Sequence, residues 1–161
     1  MTKILALLST TLPTETMSEF SKILCTSCAT LIGGIIIFVV GRTVEKFIIE
    51  PIQEYKKTLG SITYNLIYYA NIYSNINSVS NEDKVEVSRA IRKLASELSA
   101  KTHQIAFYKT FSKLKVIPNY NNSMDAVGIL IGFSNSLWNS EYSDINNRRE
   151  KIEQLLKIKT Q

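Results

Sequence analysis

Hydrophobic residues are arranged in two different ways along this chain. From Ile23 to Gly41 there is no charged side chain in nineteen consecutive residues. After Arg42 the hydrophobic residues recur every three or four positions, which is the period of an α-helix with one buried face. No segment shows the sustained alternation of a strand. The pattern predicts an all-α protein, with a transmembrane helix at residues 23–41 and a cytosolic helical domain at residues 42–161.

The apolar stretch has the length that a membrane span requires. Its residues would form about 28 Å of α-helix, close to the ~30 Å hydrocarbon thickness of a bilayer. A cleaved signal peptide fits less well, because Glu15 and Glu19 precede the stretch. Arg42 also follows where a small-residue cleavage site is needed. We interpret residues 1–22 as a short N-terminal tail.

The region after the span has the pattern of about five helices, the first continuing the membrane helix to about Ser74. Pro51 predicts a kink or a new start near Glu50, because proline is tolerated in the first turn of a helix. Eight residues mark one face of this helix: Ile48, Ile52, Tyr55, Leu59, Ile62, Leu66, Tyr69 and Tyr73. Because 120 residues can bury a core, we expect a compact bundle.

Polar segments separate the later helices. Ser80-Asn-Glu-Asp83 resembles a capping box and predicts a helix that continues to about Lys101. Turn-rich residues 119–123 supply an N-cap for the helix after them. The remaining helices are predicted at residues 105–114, 124–138 and 144–157.

Basic residues near the ends of the apolar stretch predict its orientation. Lys3 and Lys22 lie on its N-terminal side, and four basic residues lie on its C-terminal side: Arg42, Lys46, Lys56 and Lys57. The positive-inside rule therefore favours a cytosolic C-terminal domain. That domain contains no cysteine, which suits a reducing compartment.

The domain carries most of the charge of the chain. It holds 17 of the 19 basic and 12 of the 14 acidic residues, so its net charge is 17 − 12 = +5. This excess is compatible with nucleic acid, with an anionic membrane leaflet, or with an ordinary solvated surface. No cluster of lysine and arginine is dense enough to decide among the three.

Cysteine and other small residues occupy the apolar stretch. Cys25-x-x-Cys28 has no second ligand pair, so we interpret both thiols as small hydrophobic groups and predict neither a metal nor a cofactor. Two rows of small residues, spaced by four, favour close packing of membrane helices and predict a homo-oligomer. The first row is Cys25, Ala29 and Gly33, and the second is Thr26, Thr30 and Gly34.

The helix after Pro51 supplies a second candidate assembly surface, formed by Tyr55, Leu59, Ile62, Leu66, Tyr69 and Tyr73. Tyr64 and Tyr68 lie on the same helix. Tyrosines at helical spacing favour packing against neighbouring helices. A protein–protein face and base stacking are the alternative interpretations.

No residue pattern indicates an enzyme. His103 is the single histidine, and we expect a structural or capping role for it. The chain lacks a metalloprotease helix, a P-loop, a nucleophile elbow and a dinucleotide-binding glycine pattern. We therefore predict no catalytic residue.

Three segments resemble the recurring blocks of small bacterial single-pass membrane proteins of uncharacterised function, at residues 47–73, 92–108 and 130–138. The overall plan is also similar to the small membrane accessory protein of Cas13b-type CRISPR systems. That protein has an N-terminal membrane helix and a HEPN-like helical domain, and it assembles into an oligomeric pore in antiphage defence. This resemblance implies assembly and membrane disruption.

The arginine-histidine motif of HEPN ribonucleases is absent from the chain. In that motif a histidine follows an arginine by four to six positions, whereas Arg92 precedes His103 by eleven. Arg148-Arg149 has no histidine after it. We therefore do not expect RNA cleavage of the HEPN kind.

These observations predict a single-pass protein of the bacterial inner membrane with a cytoplasmic C-terminal domain. We expect self-assembly through the membrane helix and the helical domain, with a pore in antiphage defence or stress as the resulting function. The alternative is a membrane-tethered module that binds a cytosolic protein or RNA without forming a pore. The predicted partners are further copies of the chain, the lipid bilayer and a cytosolic protein, with nucleic acid the least favoured.

Overall fold

The computed structural model describes residues 14–139 and 142–160. These described residues form helices, turns and loops, with no β-strand among them, so the all-α prediction is confirmed. The chain divides into two units, residues 1–43 and residues 44–161. Of the predicted N-terminal tail, residues 1–13 lie outside the described residues.

The first unit contains one long apolar helix, α1 (Thr14–Val44). It begins ahead of Ile23 and includes the whole stretch predicted to span a membrane. From Ser18 to Val44 every residue except Gly33 is exposed. In the described part of the chain, one helix near the N-terminus is long and apolar enough to cross a membrane.

A π-helical turn, Glu45–Ile49, separates α1 from α2 (Glu50–Tyr68). Pro51 lies in the first turn of α2 and has no N–H group, so the regular hydrogen-bond series of an α-helix cannot continue through it. Just before it, the backbone N–H of Glu50 donates to the carbonyl of Glu45, a wider turn than in an α-helix. The predicted change of the helix near Glu50 is confirmed.

With α2 included, the described part of the second unit contains four long α-helices and two short ones, where the sequence predicts about five helices. The long predicted helix to Ser74 is divided at Tyr69, whose backbone leaves the helical region (φ −94°, ψ 12°). The helices that follow are α3 (Ala70–Ser74), α4 (Asn81–Gln104), α5 (Tyr108–Lys113), α6 (Tyr120–Asn139) and α7 (Tyr142–Leu156).

Helix α4 runs antiparallel to α2. Near the start of α2, the Glu54 carboxylate lies 3.7 Å from the Lys101 ammonium group, close to the end of α4. At the opposite end, the Tyr69 hydroxyl donates to the Glu86 carboxylate over 2.9 Å. The start of α2 and the end of α4 therefore lie together at one end of the unit.

Helix α6 packs against α4 with the same antiparallel arrangement. The Tyr120 hydroxyl lies 3.1 Å from His103 Nε2 at one end, and Arg92 Nε donates to Ser134 Oγ over 3.1 Å further along. Helix α7 packs on α6, and the Arg148 guanidinium occupies the space beside Gly132 that a Cβ atom would fill. Because α2 and α6 both run antiparallel to α4, they are parallel to each other.

The hydrophobic core of the second unit collects one face from each long helix. The predicted face of α2 supplies five buried side chains, Ile52, Tyr55, Ile62, Leu66 and Tyr73, of which Tyr73 lies in α3. Three more residues of that face are partly buried against the core: Ile48, Leu59 and Tyr69. The other helices add buried residues such as Ile91, Leu98, Leu130, Phe133, Ile145 and Ile152.

The end of α7 is fixed by a partly buried ion pair. Arg149 Nε lies 3.1 Å from the Glu153 carboxylate, and the side chains keep only 14% and 23% of their exposure. The Thr160 hydroxyl also accepts from the Arg149 guanidinium and donates to Glu153. The last described residues are thereby held against α7.

We expect Ser80→Ala to lower the free energy of unfolding by about 1 kcal/mol, the usual value of an N-cap. Ser80 Oγ accepts from the Asp83 backbone N–H over 3.1 Å, which confirms Ser80 as the N-cap, and it donates to the Asp83 carboxylate over 2.7 Å. Chemical denaturation of the detergent-solubilised protein, followed by circular dichroism, measures the change. The matched control is Ser78→Ala, since Ser78 is exposed in the preceding turn. Equal stability of the two variants would contradict the capping role.

Candidate functional site

The small-residue rows are exposed along α1. Cys25, Ala29, Thr26, Thr30 and Gly34 are all exposed, and Gly33 is the one partly covered residue of that stretch. A Cβ atom added at Gly33 or Gly34 would meet nothing within 4 Å. The two rows therefore have no partner within this part of the chain, and their glycines are not required for its packing.

The threonine hydroxyls of α1 are bonded within the helix. Thr26 Oγ1 donates to the Lys22 carbonyl over 2.8 Å, and Thr30 Oγ1 donates to the Thr26 carbonyl over 2.9 Å. Near the end of the helix Thr43 Oγ1 donates to the Val39 carbonyl over 2.8 Å. Hydroxyls bonded to the carbonyl four residues earlier add little polar surface, so these threonines are compatible with an apolar environment.

The predicted assembly face of α2 lies inside the second unit. Tyr55, Ile62, Leu66 and Tyr73 are buried there, while Leu59 and Tyr69 are partly buried against the same core. Four of the six side chains are therefore packed in the core of their own chain, and only Leu59 and Tyr69 keep part of their surface for the predicted contact with another copy. The face is apolar because α4 packs along it, and α6 contacts it through Ser123 at Tyr55 and through Phe133 at Tyr73.

A buried hydroxyl network joins three helices beneath this face. The Tyr55 hydroxyl lies 2.7 Å from Ser123 Oγ, and the Tyr108 hydroxyl lies 2.9 Å from the same atom. The Tyr55 and Tyr108 rings make an edge-to-face contact with centroids 6.3 Å apart. Because three hydroxyls satisfy one another, the polar atoms can be buried without an unmet hydrogen bond.

Burial has a direct effect on the acidity of Tyr55. Loss of solvent raises the pKa of Tyr55 above its usual value, and the Ser123 hydrogen bond opposes the rise only in part. Slight burial and the adjacent Glu86 carboxylate also raise the pKa of Tyr69. Tyr55 is therefore a neutral packing group at physiological pH, and not an activated acid or base.

The opposite side of α2 carries an exposed tyrosine patch, consisting of Tyr64, Ile67 and Tyr68. Tyr64 and Tyr68 are 62% and 61% exposed, and Ile67 is 52% exposed. The Tyr64 and Tyr68 rings are stacked, with centroids 5.5 Å apart. The tyrosines of α2 thus divide between the core and the surface, with Tyr55 inside and Tyr64 and Tyr68 outside.

His103 and Arg92 hold helices together in the second unit. His103 Nδ1 lies 2.8 Å from the Ser99 carbonyl in the last turns of α4, and its Nε2 accepts from Tyr120. Arg92 is bonded to Ser134 and Asn135 on α6. Eleven residues of one helix, about 16 Å, separate Arg92 from His103. The structure does not bring them together within one chain.

Two features of the second unit are not apparent from periodicity. The pattern indicated that Ser123 lies in a polar cap, but Ser123 is buried within α6. Helix α6 begins earlier, at Tyr120, and the Asn119 side chain accepts from the backbone N–H of Asn121. Phe107, before α5, is largely exposed at a positive φ of 53°. A run without acidic residues from Lys101 to Met124 is the signal that would have drawn attention to α5.

Comparison with known proteins adds no relative. No protein-family model matches the chain, and neither the curated proteins nor the solved structures include a match. The resemblances drawn from the sequence therefore stay hypotheses, and the function is argued from the geometry of this chain.

We expect Tyr55→Phe to lower the free energy of unfolding by about 1 kcal/mol at neutral pH, because it removes one hydroxyl from the buried network. We also expect a change in pH dependence. A raised pKa in the folded state means that the wild type keeps this contribution below about pH 10, where an unfolded tyrosine begins to ionise, and loses it as the pH rises further. Denaturation measured from pH 7 to pH 11 tests both effects.

Tyr64→Phe is the matched control for the Tyr55 variant, since it removes an exposed hydroxyl from the same helix. It should leave the stability at neutral pH and its alkaline decline unchanged. If the stability of the Tyr55→Phe variant declined above pH 10 as steeply as that of the wild type, another group would be responsible for the alkaline loss of stability.

Proposed function

We propose that this protein is a single-pass membrane protein of the bacterial inner membrane that self-assembles through α1 and holds its helical domain in the cytoplasm. The observation that carries this proposal is the exposure of α1 along its apolar length, Ile23 to Gly41. An uncharged helix of that length is stable in a bilayer, because all its backbone groups are bonded within the helix.

Self-association would take place through the small-residue rows. Small side chains every fourth position let two membrane helices approach closely, so that van der Waals contacts of the backbones replace contacts with lipid. Because the core-forming face of α2 is occupied by its own chain, the proposal rests on α1 and not on the second unit.

A pore is the further step in this proposal. A ring of α1 helices would enclose a wall of apolar side chains with threonine hydroxyls, and such a wall can close by expelling water. Regulated opening would make the assembly suitable for antiphage defence or stress, as the resemblance in plan implies. The separation of Arg92 and His103 gives no support to a ribonuclease function within one chain.

We expect Gly33→Leu with Gly34→Leu to reduce crosslinking of the protein in membranes at least tenfold. A Cβ atom at either glycine would meet no other part of the described chain within 4 Å, so the larger side chains should act on contacts between copies. The matched control is Ile35→Leu with Ile36→Leu, which keeps the size of exposed side chains in the same helix. Circular dichroism and carbonate extraction confirm that each variant is folded and inserted.

Dye release from liposomes tests the pore with the same variants. We expect the wild type and the isoleucine variant to release the dye and the glycine variant to retain it. A wild-type protein that is inserted but monomeric would contradict self-assembly, and one that crosslinks without releasing dye would contradict the pore alone.

The second candidate function is a membrane-tethered module that binds a cytosolic protein, and the tyrosine patch favours it. Stacked, solvent-exposed tyrosines next to an isoleucine are typical of the centre of a protein–protein interface. No helix of the described part of the second unit covers this patch, since all three residues are at least half exposed.

We expect Tyr64→Ser with Tyr68→Ser to weaken capture of a cytosolic protein partner at least tenfold without lowering stability. Proximity labelling of the membrane-bound protein in cells, compared between wild type and variant, measures this loss. Lys56→Ser with Lys57→Ser, exposed on the same helix, is the control for a general surface effect. An unchanged set of labelled proteins would contradict the tether.

A further inference from the structure

The segment around α5 differs in charge from the rest of the second unit. Between Glu97 and Asp125 the sequence contains no acidic residue. Lys109, Lys113 and Lys115 lie within this interval and are all exposed. At this surface the domain therefore presents positive charge without acidic neighbours along the chain.

Hydrophobic side chains project from the same segment. Phe107 is 74% exposed and Leu114 is 65% exposed, so two large apolar side chains lie in water beside the exposed lysines. The backbones of Phe107 and Lys115 adopt left-handed conformations, with φ of 53° and 58°. Such conformations are unfavourable for residues with a side chain, so the fold holds the backbone on either side of α5 at a cost in stability.

An open groove lies beside these residues, between α5 and the start of α6. Its volume is about 920 Å³, and its polar lining includes Lys109, Lys113, Thr110, Asn119 and Asn121. Ammonium, hydroxyl and amide groups are donors that suit the oxygens of a phosphate group. We call the groove together with Phe107, Leu114 and Lys115 the basic surface.

The basic surface lies at the end of the second unit where that unit begins. Tyr108 of α5 packs against Tyr55, which is eleven residues after Val44, the first residue of the unit. Eleven residues of helix extend about 16 Å. Phe47, between these two positions, is also exposed at 62%. Within the second unit, the basic surface therefore lies toward the end of α2 that is nearer to Val44.

We propose that the basic surface binds the anionic lipids of a bilayer. The lysines and the polar groove would bind lipid phosphates, while Phe107 and Leu114 would enter the interfacial region. Lysine close to an anionic leaflet and an aromatic residue at the headgroup level are the two contributions that such binding uses. Single-stranded nucleic acid fits less well, because a base could stack on the Phe107 ring but Leu114 would stay in water. The inference rests on the proposed membrane attachment through α1.

A fluorophore on α5 of the full-length protein tests this contact. The label is attached at Thr110→Cys after Cys25→Ala and Cys28→Ala remove the two native cysteines. A second protein is labelled at Ser78→Cys, an exposed position between α3 and α4 at the opposite end of the unit. Both are reconstituted into phosphatidylcholine bilayers, with or without phosphatidylglycerol, that contain a headgroup-level quencher.

We expect strong quenching and a blue-shifted emission at position 110 in the phosphatidylglycerol bilayer, and neither effect at position 78. Replacing three lysines should lower the equilibrium constant for binding of the basic surface to the bilayer on the order of a hundredfold, because each lysine contributes about fivefold. Lys109→Glu, Lys113→Glu and Lys115→Glu together should therefore abolish the quenching. Phe107→Asn with Leu114→Gln should abolish it as well, and asparagine tolerates the left-handed backbone.

Lys84→Glu, Arg89→Glu and Lys93→Glu make the same change in charge on α4 and should leave the quenching intact. Equal loss in this control would overturn the proposal, as would equal quenching at positions 110 and 78. A label at position 110 that stays in water, yet responds to single-stranded RNA, would assign the surface to nucleic acid and also overturn it. Carbonate extraction separates these outcomes from failure of α1 to insert, which would instead contradict the proposed function.

Discussion

The burial of one face of α2 is the interaction on which the rest of the second unit depends. That face contacts the core along the whole helix, from Ile52 to Leu66, and α3 extends it to Tyr73. Helix α4 packs antiparallel against it, and α6 returns parallel to it. The apolar area of this face is therefore removed from water by residues of the same chain.

The occupied face has a consequence for function. A surface buried in the core cannot also bind another chain, so the surfaces available for contacts are those that the core leaves exposed. They differ in chemistry: α1 is uncharged and apolar, the tyrosine patch is aromatic and neutral, and the basic surface combines lysines with Phe107 and Leu114. Each suits a different environment, namely lipid chains, a protein surface and lipid headgroups.

Local signals in the sequence were sufficient for much of the fold. Pro51 predicts the change in helical geometry near Glu50 because its missing N–H acts within one turn, and Ser80 predicts the start of α4 because its hydroxyl bonds three residues ahead. Periodicity was insufficient for Ser123, which has the residue type of a cap and is buried in α6. Its partners Tyr55 and Tyr108 are distant in sequence, and no local pattern indicates that they meet it.

The sequence by itself determined the all-α class, an apolar helix long enough to cross a membrane, and the face of α2 that is hydrophobic, because each follows from residues within a few turns of one another. Only the tertiary structure decided what that face contacts and which tyrosines stay outside. It also decided where the lysines near α5 lie relative to the start of the unit. The physical reason is that burial depends on residues far apart in the chain: Tyr55 and Tyr64 share one helix, yet only Tyr55 has another helix packed over it.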